Sequence, residues 1–104
     1  MKYEIGIINT TINTLEGTEL MSSTLLEQKL CACIQIDKIE SKFIWSDKIQ
    51  TDQEYRLQIK LLPKNIDKVT KMISTIHTYE IPEIIVTKAL VNESYFDWMI
   101  SVCV

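Results

Sequence analysis

Hydrophobic and polar positions alternate in four segments of this 104-residue chain and recur at helical spacing in three others. Period-two alternation is typical of a strand with one buried face, whereas apolar residues at i, i+3 and i+7 indicate an amphipathic helix. The pattern predicts strands at 3–8, 32–45, about 52–61 and 81–89, and helices at 14–30, 63–76 and from 92 onward. The predicted order is therefore βαββαβ followed by a terminal helix.

Polar residues and one proline indicate where the helices begin. Asn13, followed three residues later by Glu16, resembles a capping box. Pro63 suits the first turn of the second helix, and Asn92 can cap the last one. Gly17 costs about 1 kcal/mol relative to alanine within a helix, so we expect the start of the first helix to fray.

The hydrophobic residues of the second strand change face partway along it. Ile34 and Ile36 share one face, whereas Phe43 and Trp45 continue the alternation one residue out of phase. This shift predicts a β-bulge near residues 37–38, because an extra residue moves the apolar set to the other face. The second and third strands should form a hairpin with arms of about a dozen residues, twice the usual strand length of roughly 5–6.

Right-handed crossovers in this order place two helices on one side of a four-stranded antiparallel sheet. We therefore predict an α+β ferredoxin-like sandwich that forms a single domain over residues 1–104. The arms of the hairpin are too long for one small core, and Phe43 and Trp45 lie near its tip. Large aromatic side chains at such a place favour a subunit interface, whereas Asp47 and Lys48 fit a turn.

Composition excludes several classes of protein. Apolar residues make up 46% of the chain, with two Gly and two Pro, which is typical of a folded domain. The net charge of −3 argues against nucleic acid or an anionic membrane as the main partner. No apolar run approaches the roughly 20 residues of a membrane span, and no signal-peptide segment follows the first residues. We therefore expect a cytoplasmic protein with three reduced cysteines.

The chain lacks the usual marks of catalysis. It has one histidine, His77, and contains no Gly-rich phosphate loop, no H-E-x-x-H and no nucleophile at a Gly-flanked turn. We predict that it is not an enzyme.

Metal binding is a candidate function, with His77, Cys33 and Glu80 as candidate ligands. Cys31 and Cys33 supply soft sulfur atoms, and His77 with Glu80 offers a nitrogen and an oxygen. In the structural alternative, the cysteines are small residues of the core, and His77 interacts with the dipole at the end of the second helix. Because Ala32 belongs to the more apolar face, Cys33 should lie on the opposite face and be covered by a neighbouring subunit.

Four segments together resemble the CutA family of divalent-cation tolerance proteins. They are Leu30-Cys31-Ala32-Cys33-Ile34, Phe43-Ile44-Trp45-Ser46-Asp47-Lys48-Ile49, His77-Thr78-Tyr79-Glu80-Ile81-Pro82-Glu83-Ile84-Ile85 and Tyr95-Phe96-Asp97-Trp98. The resemblance implies a ferredoxin-like protomer, a homotrimer built by the long hairpins, and tolerance of copper and other divalent metals without established catalysis. It also implies that the subunit interface or cleft contains Phe43, Trp45, Lys48, Tyr79 and Glu83.

The chain departs from this family at Lys29 and Asp47, where the family often has Gly, at Thr78, where it has Pro, and at two positions that bear on metal binding. Where copper-binding members carry a proposed cysteine ligand and one of two adjacent histidines, this sequence has Thr10 and Ile76. A copper or other divalent-cation site would then draw on His77 with Cys33, carboxylates or a neighbouring subunit. Two other functions remain: a trimeric sensor of a small anionic ligand held by His77, Lys48 and Lys88, or a scaffold for another protein.

Overall fold

The computed structural model describes residues 2–104 as a four-stranded antiparallel sheet with three α-helices. The elements are β1 (Tyr3–Ile12), α1 (Leu15–Glu27), β2 (Cys33–Trp45), β3 (Lys48–Leu61), α2 (Ile66–Ile76), β4 (Ile85–Val91) and α3 (Glu93–Val102). A single 3-10 turn, Pro63–Asn65, precedes α2. The predicted element order is confirmed.

The strand order is β2-β3-β1-β4, and the two faces of the sheet have different coverings. Helices α1 and α2 pack on one face, here called the helical face. Its core consists of Ile8, Ile12, Met21, Leu25, Leu30, Cys31, Leu57, Ile59, Leu61, Val69 and Ile73. The opposite, open face is covered at one end by α3, where Ile5 and Leu62 pack with Met99. The other end of the open face, towards the hairpin tip, carries no helix.

The β2–β3 hairpin is regular over its whole length, so the predicted bulge is wrong. Pairing runs without interruption from Cys33↔Lys60 to Trp45↔Lys48. The apolar side chains change face for another reason. Near its base β2 packs Ile34 towards the helices, whereas beyond the end of β1 its apolar side chains no longer meet the helical core. The outer part of the hairpin extends from a molecule that measures 46 × 27 × 22 Å.

Two residues make the hairpin turn, fewer than predicted. Ser46 and Asp47 both have positive φ, 52° and 60°, and they connect the paired residues Trp45 and Lys48. Two consecutive left-handed residues are typical of a type I′ turn, whose twist matches that of the strands.

The first strand is longer than predicted, and this moves the start of α1. β1 continues to Ile12 because it pairs with β3 as far as Tyr55. Thr14 rather than Asn13 is therefore the N-cap, and its hydroxyl accepts a 3.1 Å hydrogen bond from the amide of Gly17. α1 also ends earlier, at Glu27, because Lys29 adopts a left-handed conformation (φ 57°).

The fourth strand begins at Ile85 rather than at Ile81. Residues 77–84 form an irregular loop beside the end of β1, because Ile85 is the first residue of β4 that pairs with β1. Asn92 occupies the predicted N-cap position of α3, but its side chain donates to Ser94 Oγ (2.8 Å) instead of capping the helix backbone.

Candidate functional site

A groove lies on the open face between the outer half of the hairpin and the 77–84 loop. Its volume is about 730 Å³, within the range of small-ligand sites. The side chains that line it come from the end of β1, from both arms of the hairpin and from the loop. They are Thr11, Ile39, Ser41, Lys42, Phe43, Trp45, Gln50, Asp52, Glu54, Arg56, Tyr79, Glu80, Ile81 and Glu83.

Four carboxylates in this groove have no ion-pair partner among residues 2–104: Asp52, Glu54, Glu80 and Glu83. The two cations that line the groove are paired with acids outside it. Arg56 makes two hydrogen bonds to Asp37 (2.9 and 3.3 Å). Lys42 lies 3.1 Å from Glu40. The groove is therefore negatively charged.

Tyr79 ties the loop to the hairpin across the end of β1. Its hydroxyl donates a 2.6 Å hydrogen bond to Glu54 Oε2, and the Glu54 residue is only 8% exposed. Burial, then the bond to Glu54 and the nearby charges of Glu54 and Asp52, raise the pKa of Tyr79 well above its ordinary value of 10.0. The phenol therefore stays protonated and acts as a donor.

His77 connects the loop to the end of β1. Its Nε2 lies 2.7 Å from the carbonyl oxygen of Thr11, and its Nδ1 accepts a 3.1 Å bond from the amide of Tyr79. This pair of contacts requires the neutral tautomer with the proton on Nε2. Both ring nitrogens are thus engaged, and the residue is 9% exposed.

A comparison with protein families identifies the chain. The family model described as CutA1 divalent ion tolerance protein matches residues 6–102. The chain belongs to this family. A relative from Encephalitozoon cuniculi, named a probable divalent-cation tolerance protein cutA homolog, is 33% identical over 93 residues, 88% of this chain and 82% of its own length.

Two further comparisons support the assignment to the CutA1 family. Protein CutA 1, chloroplastic, of rice is 30% identical over 89% of this chain, which spans only 54% of the rice protein. The structure titled periplasmic divalent cation tolerance protein CutA, from Archaeoglobus fulgidus, superimposes with a TM-score of 0.90 at 28% identity. The superposition covers 94% of this chain and 97% of the Archaeoglobus chain. The family is named for ion tolerance and not for a reaction.

Most of the residues predicted for the CutA1-type cleft meet at the groove, but the predicted metal ligands do not form one cluster. Phe43, Trp45, Tyr79, Glu80 and Glu83 line the groove, whereas Lys48 lies beyond it in the strand next to the turn.

Cys33 is far from His77. It pairs with Lys60 and, across the sheet, lies level with Ile7, whereas the His77 ring contacts Thr11. Four residues of strand separate these positions along β1, about 13 Å at roughly 3.3 Å per residue. Within residues 2–104 no three His, Cys, Asp or Glu side chains are arranged to hold a metal.

The groove residues that sequence reasoning missed include two acids, Asp52 and Glu54. Both belong to the polar set of the alternating third strand, which is typical of a solvated face. Only the loop carrying Tyr79, folded against this face, makes Glu54 a buried group.

Thr10 and Ile76, the positions at which the resemblance led us to look for copper ligands, lie outside the groove. Thr10 is fully buried, and its hydroxyl has no hydrogen-bond partner among the residues described. Ile76 packs against the core of the helical face. No helix within residues 2–104 is long and apolar enough to cross a membrane.

Proposed function

We propose that this CutA1-family protein is a non-catalytic homotrimer that binds a divalent cation in the groove. The observation that carries the proposal is the set of four carboxylates without an ion-pair partner in one cavity. Phe43 and Trp45, which line the same cavity, are exposed. Carboxylate oxygens bind hard divalent cations, and a neighbouring subunit would supply the donors that one chain lacks.

The hairpin supports the assembly. Phe43 and Trp45 are exposed on its open face, while Ile44 and Ile49 are 76% and 81% exposed on the other. Such an apolar tip is costly to leave in water and is typical of an obligate interface. Contact with a second copy through the tip would cover these side chains.

The charge of the groove favours a cation over the small anionic ligand. Of the lysines considered for the anion, Lys88 lies at 3.8 Å from Glu4 and Lys48 does not line the cavity. An anion in the groove would face four carboxylates instead.

The metal proposed first for testing is copper as Cu(II), with Zn(II) and Mn(II) for comparison. Of the predicted ligands, Glu80 is retained as a direct donor. His77 is assigned to positioning the loop, because its two nitrogens hold Thr11 and Tyr79. The cytoplasm is the proposed location, although the rice and Archaeoglobus relatives are named chloroplastic and periplasmic. Cell fractionation tests it.

Light scattering tests the assembly. Wild-type protein should have three times the 12.1 kDa mass of one chain. Trp45→Glu places a charge on the apolar tip and should shift the mass towards one chain, whereas Ser23→Glu on the exposed side of α1 should leave it unchanged. A wild-type mass of 12.1 kDa would rule out the trimer.

Calorimetric titration with each metal tests the groove. The double variant Glu80→Gln and Glu83→Gln should weaken binding at least tenfold, because both losses reduce the negative charge that faces the ion. Glu19→Gln, on the exposed side of α1, is the matched control. Equal affinity in the double variant and the control would place the ion elsewhere.

A further inference from the structure

Glu54 lies at the inner end of the groove, away from the hairpin turn, and has no ion-pair partner among residues 2–104. The side chain lines the cavity although the residue is more than nine-tenths buried. Its Oε2 accepts the hydrogen bond from Tyr79, whereas its Oε1 accepts none from the residues described. A buried charge without a counter-charge is costly, so this carboxylate favours a cationic ligand.

Asp52 presents a second carboxylate on the same face of β3. The two acids are two residues apart on the strand, about 7 Å at roughly 3.4 Å per residue, and both line the cavity. Within residues 2–104, no three acidic, histidine or cysteine side chains are arranged to hold one metal ion. The negative charges of a single chain are therefore spaced along the groove rather than gathered at one point.

Apolar surface accompanies these charges. Ile39 is the cross-strand partner of Glu54, so its side chain lies on the same face of the hairpin as the carboxylate. From the other side of the cavity, the 77–84 loop contributes Ile81, which is largely exposed. A ligand of this part of the groove would meet spaced negative charges and apolar side chains together.

We propose that the inner half of the groove binds a linear aliphatic polyamine, with one ammonium group at Glu54 and the next at Asp52. An alkylammonium group is charged at neutral pH, as lysine is. About four methylene groups, at roughly 1.5 Å per bond, separate two ammonium groups by a distance similar to that between the two acids. The methylene groups lie on Ile39 and Ile81 and leave water, a contribution that a metal ion lacks.

The remaining acids favour a polyamine over a single ammonium group. Glu80 and Glu83 also line the cavity and have no ion-pair partner within the described part of the chain. A further ammonium group would meet these two acids, whereas the lysine side chain of a protein would bring only one charge. Trp45, assigned above to the subunit contact, is not needed for this ligand.

The inference rests on the proposed function in that both place a cation among the same acids, but the two fail separately. Metal binding without polyamine binding would overturn this inference alone, and polyamine binding without metal binding would overturn the divalent-cation proposal alone. If both bind, excess spermidine should weaken metal binding at least tenfold. Unchanged metal affinity would show that the polyamine binds outside the groove.

Calorimetric titration of the full chain in metal-free buffer tests the polyamine. Spermidine and 1,4-diaminobutane should each bind once per chain. 1,4-Diaminobutane should bind at least tenfold more tightly than butylamine, which carries the single charge of a lysine side chain. Equal affinity for 1,4-diaminobutane and butylamine would overturn the inference.

A charge-neutralising variant locates the second ammonium group. Asp52→Asn, at an exposed position, should weaken the binding of 1,4-diaminobutane at least tenfold. Glu19→Gln removes the same charge from the exposed side of α1 and is the matched control, with unchanged affinity. Wild-type affinity in Asp52→Asn, or an equal loss in Glu19→Gln, would contradict the assignment.

Chemical-shift mapping locates the ligand without any substitution. 1,4-Diaminobutane should shift the amide resonances of residues 52–54 and 79–81 of the wild-type protein, whereas the resonances of α1 should not move. Shifts confined to residues outside the groove would show that the amine binds elsewhere and would overturn the inference.

Discussion

The hydroxyl of Tyr79 and the carboxylate of Glu54 meet at 2.6 Å across the end of β1, although 25 residues separate them in sequence. Glu54 is among the least exposed charged residues of the chain, and its hydrogen bond joins the 77–84 loop to the long hairpin. This contact makes the groove a defined cavity rather than an open strand surface.

Tyr79→Phe should lower the free energy of unfolding by about 1–3 kcal/mol, because it leaves the buried Glu54 carboxylate without its donor. Denaturant unfolding measures the change. Tyr55→Phe is the matched control, since the Tyr55 hydroxyl makes no side-chain hydrogen bond among the described residues. Equal stability of the two variants would contradict this role for the contact.

The same residue predicts a dependence on alkaline pH. The pKa of Tyr79 is raised in the folded state, through burial first and then Glu54, above its ordinary value of 10.0. Above pH 10 the unfolded chain therefore binds fewer protons than the folded chain, and stability falls as pH rises. Below pH 10 this residue does not make the free energy of unfolding depend on pH. In Tyr79→Phe the free energy of unfolding should fall less steeply above pH 10 than in the wild type. In Tyr55→Phe it should fall as steeply as in the wild type.

His77→Ala should free the 77–84 loop, because the ring bridges the Thr11 carbonyl and the Tyr79 amide. We expect a loss of about 2–3 kcal/mol for two hydrogen bonds at a buried position. The hydrogen-exchange rate of the Tyr79 amide should increase, while the amides of β1 that pair with β3 stay protected. Thr78→Ala, at the exposed neighbouring position, should leave the exchange rate of the Tyr79 amide unchanged. An unchanged Tyr79 amide in His77→Ala would show that His77 does not hold the loop.

Gly17→Ala should destabilise the protein, although alanine is the better helix former by about 1 kcal/mol. A methyl group at Gly17 would collide with Ile12 Cδ1 and approach Thr14 Oγ1 to 2.9 Å. We expect a net loss of about 1–3 kcal/mol from this overpacking. Thermal unfolding measures it, and Ser23→Ala at an exposed position of α1 should be neutral or stabilising. A higher melting temperature for Gly17→Ala would show that Ile12 moves aside.

Lys29→Gly and Asp47→Gly should each stabilise the chain by about 0.5–1 kcal/mol. Both residues hold positive φ (57° and 60°), a conformation that glycine adopts without strain. Lys48→Gly, in a strand, is the control and should destabilise. Chemical denaturation compares the three variants, and a loss of stability in Asp47→Gly would contradict the strain argument for the turn.

Local pattern was sufficient for the elements and their order. The alternation of Tyr55, Leu57, Ile59 and Leu61 and the helical spacing of Ile66, Val69 and Ile73 repeat over several turns or residue pairs, so single exceptions do not hide them. The long hairpin and the exposed Phe43 and Trp45 followed from the same pattern, because strand length and side-chain face depend on near neighbours.

Only the tertiary structure decided the site and the ends of the elements. The apparent slip in β2 is not a bulge, because the helices cover the base of the strand and leave its outer part without a core. Glu54 is buried only because the loop carrying Tyr79 packs against it, and the amide of Val104 reaches the carbonyl oxygen of Lys29 only because the C-terminal end docks beside the end of α1. These contacts join residues 25 and 75 positions apart. Their geometry depends on the packing of whole elements, and no local sequence pattern contains that information.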